Sequence, residues 1–314
     1  MKLSIITINY NNVEGLKKTL ASVAAQTYRN IEHIIIDGGS TDGSVGVIKE
    51  YVRNVERMNE LTNEGIHVVW SSEPDKGIYN AMNKGIEIAL GRRVVNTNHT
   101  SNITHHTSQE SLCDYVQILN SGDILAAPDV TERMMAALDS LNAQRSTLNE
   151  NGSPAILYGN MIKKDFTTGK IIGKSREVEY SLRQYYSSTM NHDCCYFRRN
   201  LFDIYGLYDE NLKIVSDWKW FLQAIGLGHV KPVYVNIDVT IFDVSGISET
   251  NLALRNQERR QVLKELLPPA ILADYDAHAF EIEQMNRLRR RHLYGLVYFI
   301  ERVLFKLEKW HILR

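Results

Sequence analysis

Four short runs of β-branched and apolar residues, each closing on a polar loop and three of them leading straight into helical periodicity, constrain this chain more than any other feature. Leu3-Ser4-Ile5-Ile6-Thr7-Ile8 ends at Asn9-Tyr10-Asn11-Asn12, and Leu16, Leu20 and Val23 follow at helical spacing. Ile31 to Ile36 ends at Asp37-Gly38-Gly39-Ser40-Thr41-Asp42-Gly43, before Val47, Ile48 and Tyr51. His67-Val68-Val69-Trp70 leads through Glu73-Pro74-Asp75-Lys76-Gly77 into Ile78, Met82, Ile86 and Leu90. The fourth run, Tyr115-Val116-Gln117-Ile118-Leu119, stops at Asn120-Ser121-Gly122-Asp123. Strand alternating with helix implies a parallel sheet, and right-handed crossovers bring all four polar loops to one sheet edge. Ligands of open α/β sheets collect there, so Asp123 is expected where a substrate or a metal is held. Magnesium takes only one or two protein carboxylates when substrate phosphates supply other oxygens, so one Asp on a Ser-Gly approach suffices; a plain strand-to-turn exit has the same composition.

Between Gly91 and Asp114 lies a polar segment without periodicity that carries His99, His105 and His106. It joins a helix end to a strand start, which puts it opposite the converging loops as a surface insertion over 92–113. A helix from Pro128 through Val130, Met134, Leu138 and Leu141 leads to a linker over Gln144 to Pro154. The expected division is therefore a first half over 1–143, a second half mixing strands and helices over 144–250, and a helical extension over 251–314. In the second half Ala155 to Tyr158 reads as a strand and Met161 to Lys174 as a hairpin about Thr168-Gly169. His192 precedes the apolar stretch Cys194 to Phe197. Ser216 is expected to cap a helix bearing Trp218, Phe221 and Ile225, with Asp217 in its first turn, where a carboxylate suits both capping and proton acceptance. Phe242 to Ser248 reads as a loop able to fold over a ligand.

Charge narrows the partners. The net charge is −1, yet eight basic residues against two acids from Arg287 to Arg314 leave that tail at +6 and the remainder at −7. An acidic body argues against nucleic-acid binding. The tail also places Leu293, Leu296, Val297, Ile300, Val303, Leu304 and Leu307 on one helical face, so it either packs on the protein or lies on an anionic membrane surface. Cys113, Cys194 and Cys195 form no CxxC pattern, and neither a secretory leader nor a membrane-spanning run is apparent; a cytoplasmic protein, at most peripheral to the inner membrane face, is expected.

In order and spacing, four blocks resemble the inverting family 2 glycosyltransferases of GT-A type, especially bacterial enzymes of surface-polysaccharide assembly. They are Ser4 to Asn11, Asp37 to Gly43, Glu73 to Gly85 and Leu119 to Asp123, with weaker matches through His192, Ser216-Asp217-Trp218 and Gly246-Ile247-Ser248. The resemblance covers about residues 1 to 250. It implies a GT-A fold, a mostly parallel Rossmann-like α/β sheet flanked by helices, and transfer from a nucleoside diphosphate sugar, a UDP-sugar foremost, to a glycan or lipid-linked hydroxyl acceptor. It further implies that Thr7, Tyr10, Asp37 and Ser121 line the nucleotide pocket, with Asp37 accepting from the base, and that Asp75 and Asn83 sit near ribose and diphosphate. Asp123 would hold Mg2+ or Mn2+, Asp217 would take the acceptor's proton, and His192 would stand in the acceptor or diphosphate region. The family's metal block reads Asp-x-Asp; here Asn120 and Gly122 replace its earlier acids, which leaves a catalytically impaired nucleotide-sugar-binding protein as the alternative. A dinucleotide oxidoreductase is disfavoured because no GxGxxG follows the first strand.

Overall fold

The computed structural model describes residues 1–62, 65–94, 112–147, 154–178, 181–243 and 251–309. The three histidines of the polar insertion and most of the Phe242 to Ser248 loop lie outside them. The chain forms two compact units, Met1–Arg259 and Arg260–Arg314.

The first unit is built on one sheet with described strand order β3-β2-β1-β4-β8-β6-β9-β5 and β7 beside β6. Its first half consists of β1 (Leu3–Asn9), β2 (Ile31–Asp37), β3 (His67–Ser72) and β4 (Tyr115–Ile118), all parallel. Between them run α1 (Val13–Ala24), α2 (Ser44–Thr62) and α3 (Ile78–Ala89). Every residue of β1 and β2 is buried, as strands covered on both faces require. Alternation divides the work: Leu3 and Ile5 join Leu16, Leu20, Ile48 and Val55 of α1 and α2 in the main core, while Ile6 faces α3. Polar residues inside this layer are paired. Thr7 Oγ1 lies 3.0 Å from His33 Nε2, whose Nδ1 meets the Tyr51 hydroxyl at 2.8 Å, and burial pushes His33 down to about 3, so it is a neutral core histidine.

The second half continues the sheet with β6 (Ile156–Lys164), β7 (Ile171–Lys174), β8 (Cys195–Arg198) and β9 (Pro232–Asp243), and the two-residue β5 (Ile124–Leu125) pairs with β9. The stretch expected as a strand and then a hairpin is one continuous strand, β6, whose end does turn back through Thr168-Gly169 into β7. Helices α4 (Val130–Thr147), α5 (Leu182–Ser187), α6 (Leu201–Ile204) and α7 (Ser216–Phe221) follow in this half, and α7 runs on through a π-helical turn, Leu222–Leu227. The expected linker is corrected in part, because α4 extends through Gln144 to Thr147.

The second unit begins within α8 (Leu252–Leu266) and contains α9 (Pro269–Arg290) and α10 (Tyr294–Lys309). On α10 the side chains of Leu296, Tyr298, Phe299 and Phe305 are exposed. Among the described residues no helix is long and apolar enough to cross a membrane.

Gly85 is the closest approach of α3 to the sheet, where an added Cβ would stand 2.4 Å from Ile6 Cγ2. A stiff β-branched neighbour cannot yield to that contact, so Gly85→Val is expected to lower stability by about 1–3 kcal/mol in urea unfolding; an unchanged midpoint would show the helix free to shift.

Candidate active site

Strand register builds the site floor. Asn9 pairs with Asp37, and Asp37 with Ser72, so three polar residues end their strands side by side. The Asp37 carboxylate accepts from Asn9 Nδ2 (2.8 Å), Ser40 Oγ (2.6 Å), Ser40 N (2.9 Å) and Ser72 Oγ (2.6 Å). Burial works to raise its pKa, but these donors hold it below the usual carboxylate range. With both oxygens doubly occupied and no exposed surface, Asp37 does not present itself to a nucleobase as the resemblance implied. It instead organises the loops that would. Asn9 Oδ1 accepts from Ser121 Oγ at 2.8 Å, which ties the β4 exit to the same network.

The α1 entry is locked in the same way. Asn11 adopts a left-handed backbone (φ 47°), accepts from Thr41 N and donates its own N–H to Ser40 Oγ. Asn12 caps α1 through Gly15 N and donates to the Ser121 carbonyl. Tyr10, between these anchors and the strand, is 67% exposed. At Gly38 an added Cβ would lie 2.6 Å from Asp75 Oδ2 and 3.2 Å from the Tyr10 ring, so glycine lets these two side chains converge above the Asp37 loop. Tyr10, Asp75 and Ser121 thus share the carboxyl edge of the sheet.

Two expected pocket residues lie elsewhere. Thr7 is fully buried against His33 and offers no side-chain surface to a ligand. Asn83 is also buried; its amide donates to the Tyr208 carbonyl (2.8 Å) and to Glu210 (2.9 Å) and accepts from Tyr208 N (2.9 Å). It fastens α3 to the segment before α7, because one amide satisfies both backbone groups of Tyr208.

Asp123 follows Gly122, whose φ of 110° suits glycine, and both are anchored by Thr19: the Thr19 hydroxyl accepts from Gly122 N and donates to the Asp123 carbonyl. The carboxylate is 4% exposed and accepts from Asp243 N at 3.2 Å. Burial, with the Asp193 carboxylate nearby, pushes Asp123 well above the usual carboxylate range, against the pull of Asp243 N–H and His192. Asp193 is itself raised by burial and accepts from Thr240 Oγ1 at 2.5 Å. Among the described residues no cluster of three or more metal-ligating side chains forms.

On the far side, His192 opens a 3-10 turn (His192–Cys194) and Asp217 lies in the first turn of α7. His192 Nδ1 meets Asp217 Oδ2 at 3.2 Å, Asn120 Nδ2 lies 3.3 Å from His192 Nε2, and the Tyr79 hydroxyl donates to Asp217 Oδ1 at 3.0 Å. Burial opposes charge on both partners. The bond to His192 nevertheless holds Asp217 below the usual carboxylate range, and Asp217 lifts His192 above the usual imidazole value. Ser216 is not the helix cap expected of it: Val215 occupies that position, and Ser216 Oγ is buried.

The sequence reading assigned no role to Tyr79 and treated Asn120 only as a missing acid. Tyr79 lies inside the third motif block, but its reach to a residue 138 positions away has no local signal. Asp243, which with Asp193 shares the surroundings of Asp123, was passed over because an isolated acid carries no pattern until the strands pair.

Residues 4–99 match the family model described as glycosyl transferase family 2. An uncharacterized glycosyltransferase of Mycobacterium tuberculosis is 30% identical over 251 residues, covering 78% of this chain and 76% of that protein. A PGL/p-HBAD biosynthesis glycosyltransferase of Mycobacterium bovis is 22% identical over 79% of each chain. Among solved structures, residues 1–349 of S. aureus TarS in complex with UDP-GlcNAc superpose with a TM-score of 0.60 at 17% identity, over 92% of this chain and 75% of that one. The mannosyltransferase PcManGT from Pyrobaculum calidifontis, in complex with GDP-Man and Mn2+, gives 0.53 at 15% identity, over 89% and 69%. Motif order, fold and relatives agree: the chain is a GT-A glycosyltransferase of family 2 that uses a nucleotide-sugar donor.

Proposed function

We propose that this glycosyltransferase inverts the anomeric centre, moving a sugar from a nucleoside diphosphate, UDP foremost, to a hydroxyl of a glycan or lipid-linked acceptor in cell-surface polysaccharide assembly. The observation that carries the reading is the contrast between two acids. Asp217 is held ionised by His192 and Tyr79, while Asp123 is buried beside another acid with its pKa raised. Direct displacement needs a base on the acceptor side and charge stabilisation on the leaving side, and these acids suit those two tasks. The donor complexes of the structural relatives, UDP-GlcNAc in TarS and GDP-Man in PcManGT, support the donor class.

In this mechanism Tyr10 and Asp75 receive the nucleotide at the loop edge ordered by Asp37, and Ser121 braces the exit of β4. Asp217 takes the proton of the attacking hydroxyl, a role worth typically ~10²–10⁴ in rate, while His192 orients that carboxylate and balances its charge. Asp123 fits Mg2+ or Mn2+: a buried carboxylate with one backbone hydrogen bond from a described residue, next to Asp193, suits an ion that takes few protein ligands and completes its shell on phosphate oxygens. When bound, the ion supplies positive charge against the departing diphosphate without proton transfer. A domain scheme of nucleotide half, acceptor half and helical extension, over 1–143, 144–250 and 251–314, follows from this division.

Release of nucleoside diphosphate from a panel of nucleotide sugars, with and without manganese, tests the core of the reading. One donor is expected to turn over, Asp123→Ala to abolish the metal-stimulated release, and Asp217→Asn to lower kcat by at least about 10²-fold with donor binding retained. No release and no binding of any donor would favour the impaired binding protein.

The pH profile gives a second check. A lowered pKa keeps Asp217 ionised as pH falls through the ordinary carboxylate range, so the acid limb of kcat lies below that range. Tyr79→Phe removes a donor to the ionised form and is expected to move the limb upward; an unmoved limb would separate Tyr79 from the base.

The exposed apolar side chains of α10, preceded by Arg287, Arg289 and Arg291, support binding to an anionic membrane surface at the cytoplasmic face. Deletion of residues 287–314 is expected to abolish sedimentation with anionic vesicles, and equal sedimentation of the two forms would end this assignment.

A further inference from the structure

Helix α8 presents a basic face to the segment that carries Asp217. Glu258 fixes its orientation: its carboxylate accepts from Lys213 N at 2.8 Å and Ile214 N at 3.0 Å, just before α7. One residue on, the Arg259 guanidinium lies 4.9 Å from the centre of the Trp218 ring, next to Asp217 in sequence. Arg255 stands one turn earlier, and positions i, i+3 and i+4 share a helix face, so Arg255, Glu258 and Arg259 are turned the same way. Both arginines are half-buried. Burial and the nearby Arg255 charge pull the Arg259 pKa down, while Asp217 opposes the shift, so the two guanidinium groups and the carboxylate lie within reach of one another's fields.

We propose that Arg255 and Arg259 form an anion subsite beside Asp217 that takes the phosphate or diphosphate group of the acceptor. Two guanidinium forks on one face match the planar, multiply accepting oxygens of such a group, and an anion between them relieves their mutual repulsion. The stack on Trp218 orients one fork in advance. The acceptor rather than the donor is the source of the phosphate because the arginines interact with the proposed base, whereas Tyr10 and Asp75, which receive the nucleotide, converge above the Asp37 loop. This assignment rests on Asp217 being the base. It narrows the acceptor class to a phosphate-bearing molecule, a phospho-linked lipid or glycan, whose charge positions the hydroxyl at Asp217.

Calorimetric titration of the full chain with inorganic pyrophosphate tests the subsite, first alone and then with the donor site saturated by the nucleoside diphosphate of the active donor. Pyrophosphate is expected to bind in the nucleotide-saturated protein, and Arg255→Gln and Arg259→Gln each to weaken that binding roughly tenfold. Arg259→Lys, which keeps the charge and loses the fork, is expected to fall between, with thermal unfolding confirming that each variant folds. Asp217→Asn should bind pyrophosphate more tightly, since a neighbouring negative charge is removed. Absence of pyrophosphate binding once nucleotide is present would overturn the subsite, and so would binding that the arginine variants leave unchanged. If the variants lose affinity only when the nucleotide site is empty, the arginines serve the donor diphosphate and the acceptor assignment falls. Native transfer rates in Asp217→Asn would defeat the base reading itself, a result separate from the calorimetry.

Discussion

The carboxylate of Asp37, buried and met by four donors, is the interaction on which the first half of the molecule turns. An ionised group removed from water is tolerated only when its oxygens are satisfied, and Asn9, Ser40 and Ser72 satisfy them from the ends of two strands and one loop. Each donor is thereby fixed in turn. Asn9 passes the constraint to Ser121, Ser40 passes it to Asn11, and the Asn12 cap ties α1 to the same exit of β4. The loops at the sheet edge are consequently cross-braced to one another through polar side chains.

The surroundings of Asp217 follow another logic. Asp217 and His192 are both largely removed from solvent and each secures the other's charge, with Tyr79 and Asn120 occupying the remaining sides. Asp123, just beyond Asn120, is pulled down by the Asp243 N–H and by His192, but burial and the Asp193 carboxylate outweigh them, so its environment favours the neutral form. One short segment, Asn120 to Asp123, therefore borders both electrostatic regimes.

Much of this was legible beforehand because it depends on short-range rules. Four β-branched runs with polar exits required a parallel sheet whose loops share one edge, and the four strands pair in parallel. Tyr10, Asp75, Ser121 and Asp123 reach that edge because strand ends dictate it. Thr7 and Asn83 do not, and for different reasons. Thr7 sits on a strand covered on both faces, where a partner such as His33 can absorb a hydroxyl; Asn83 faces a backbone segment 125 residues away that no window of the sequence reveals. Asp37 is a related case: the sequence shows a conspicuous acid in a glycine-rich loop but not the four donors that meet its carboxylate. Ser216 failed as a cap because Val215 took the boundary, and residue type alone does not locate a helix start to within one position.

Tyr79 and Asn83 stand four residues apart on α3, one bonded to Asp217 and the other to Tyr208 and Glu210. Helix α3 therefore links two regions of the sheet edge, since it begins at the Asp75 loop and its flank holds Asp217 through Tyr79. The covalent path from Tyr79 to Asp217 runs through 138 residues, but their separation is set by a single hydrogen bond. The polar stretch from Gly91 to Asp114 falls within this span of sequence, where added length between two fixed ends costs little closure entropy.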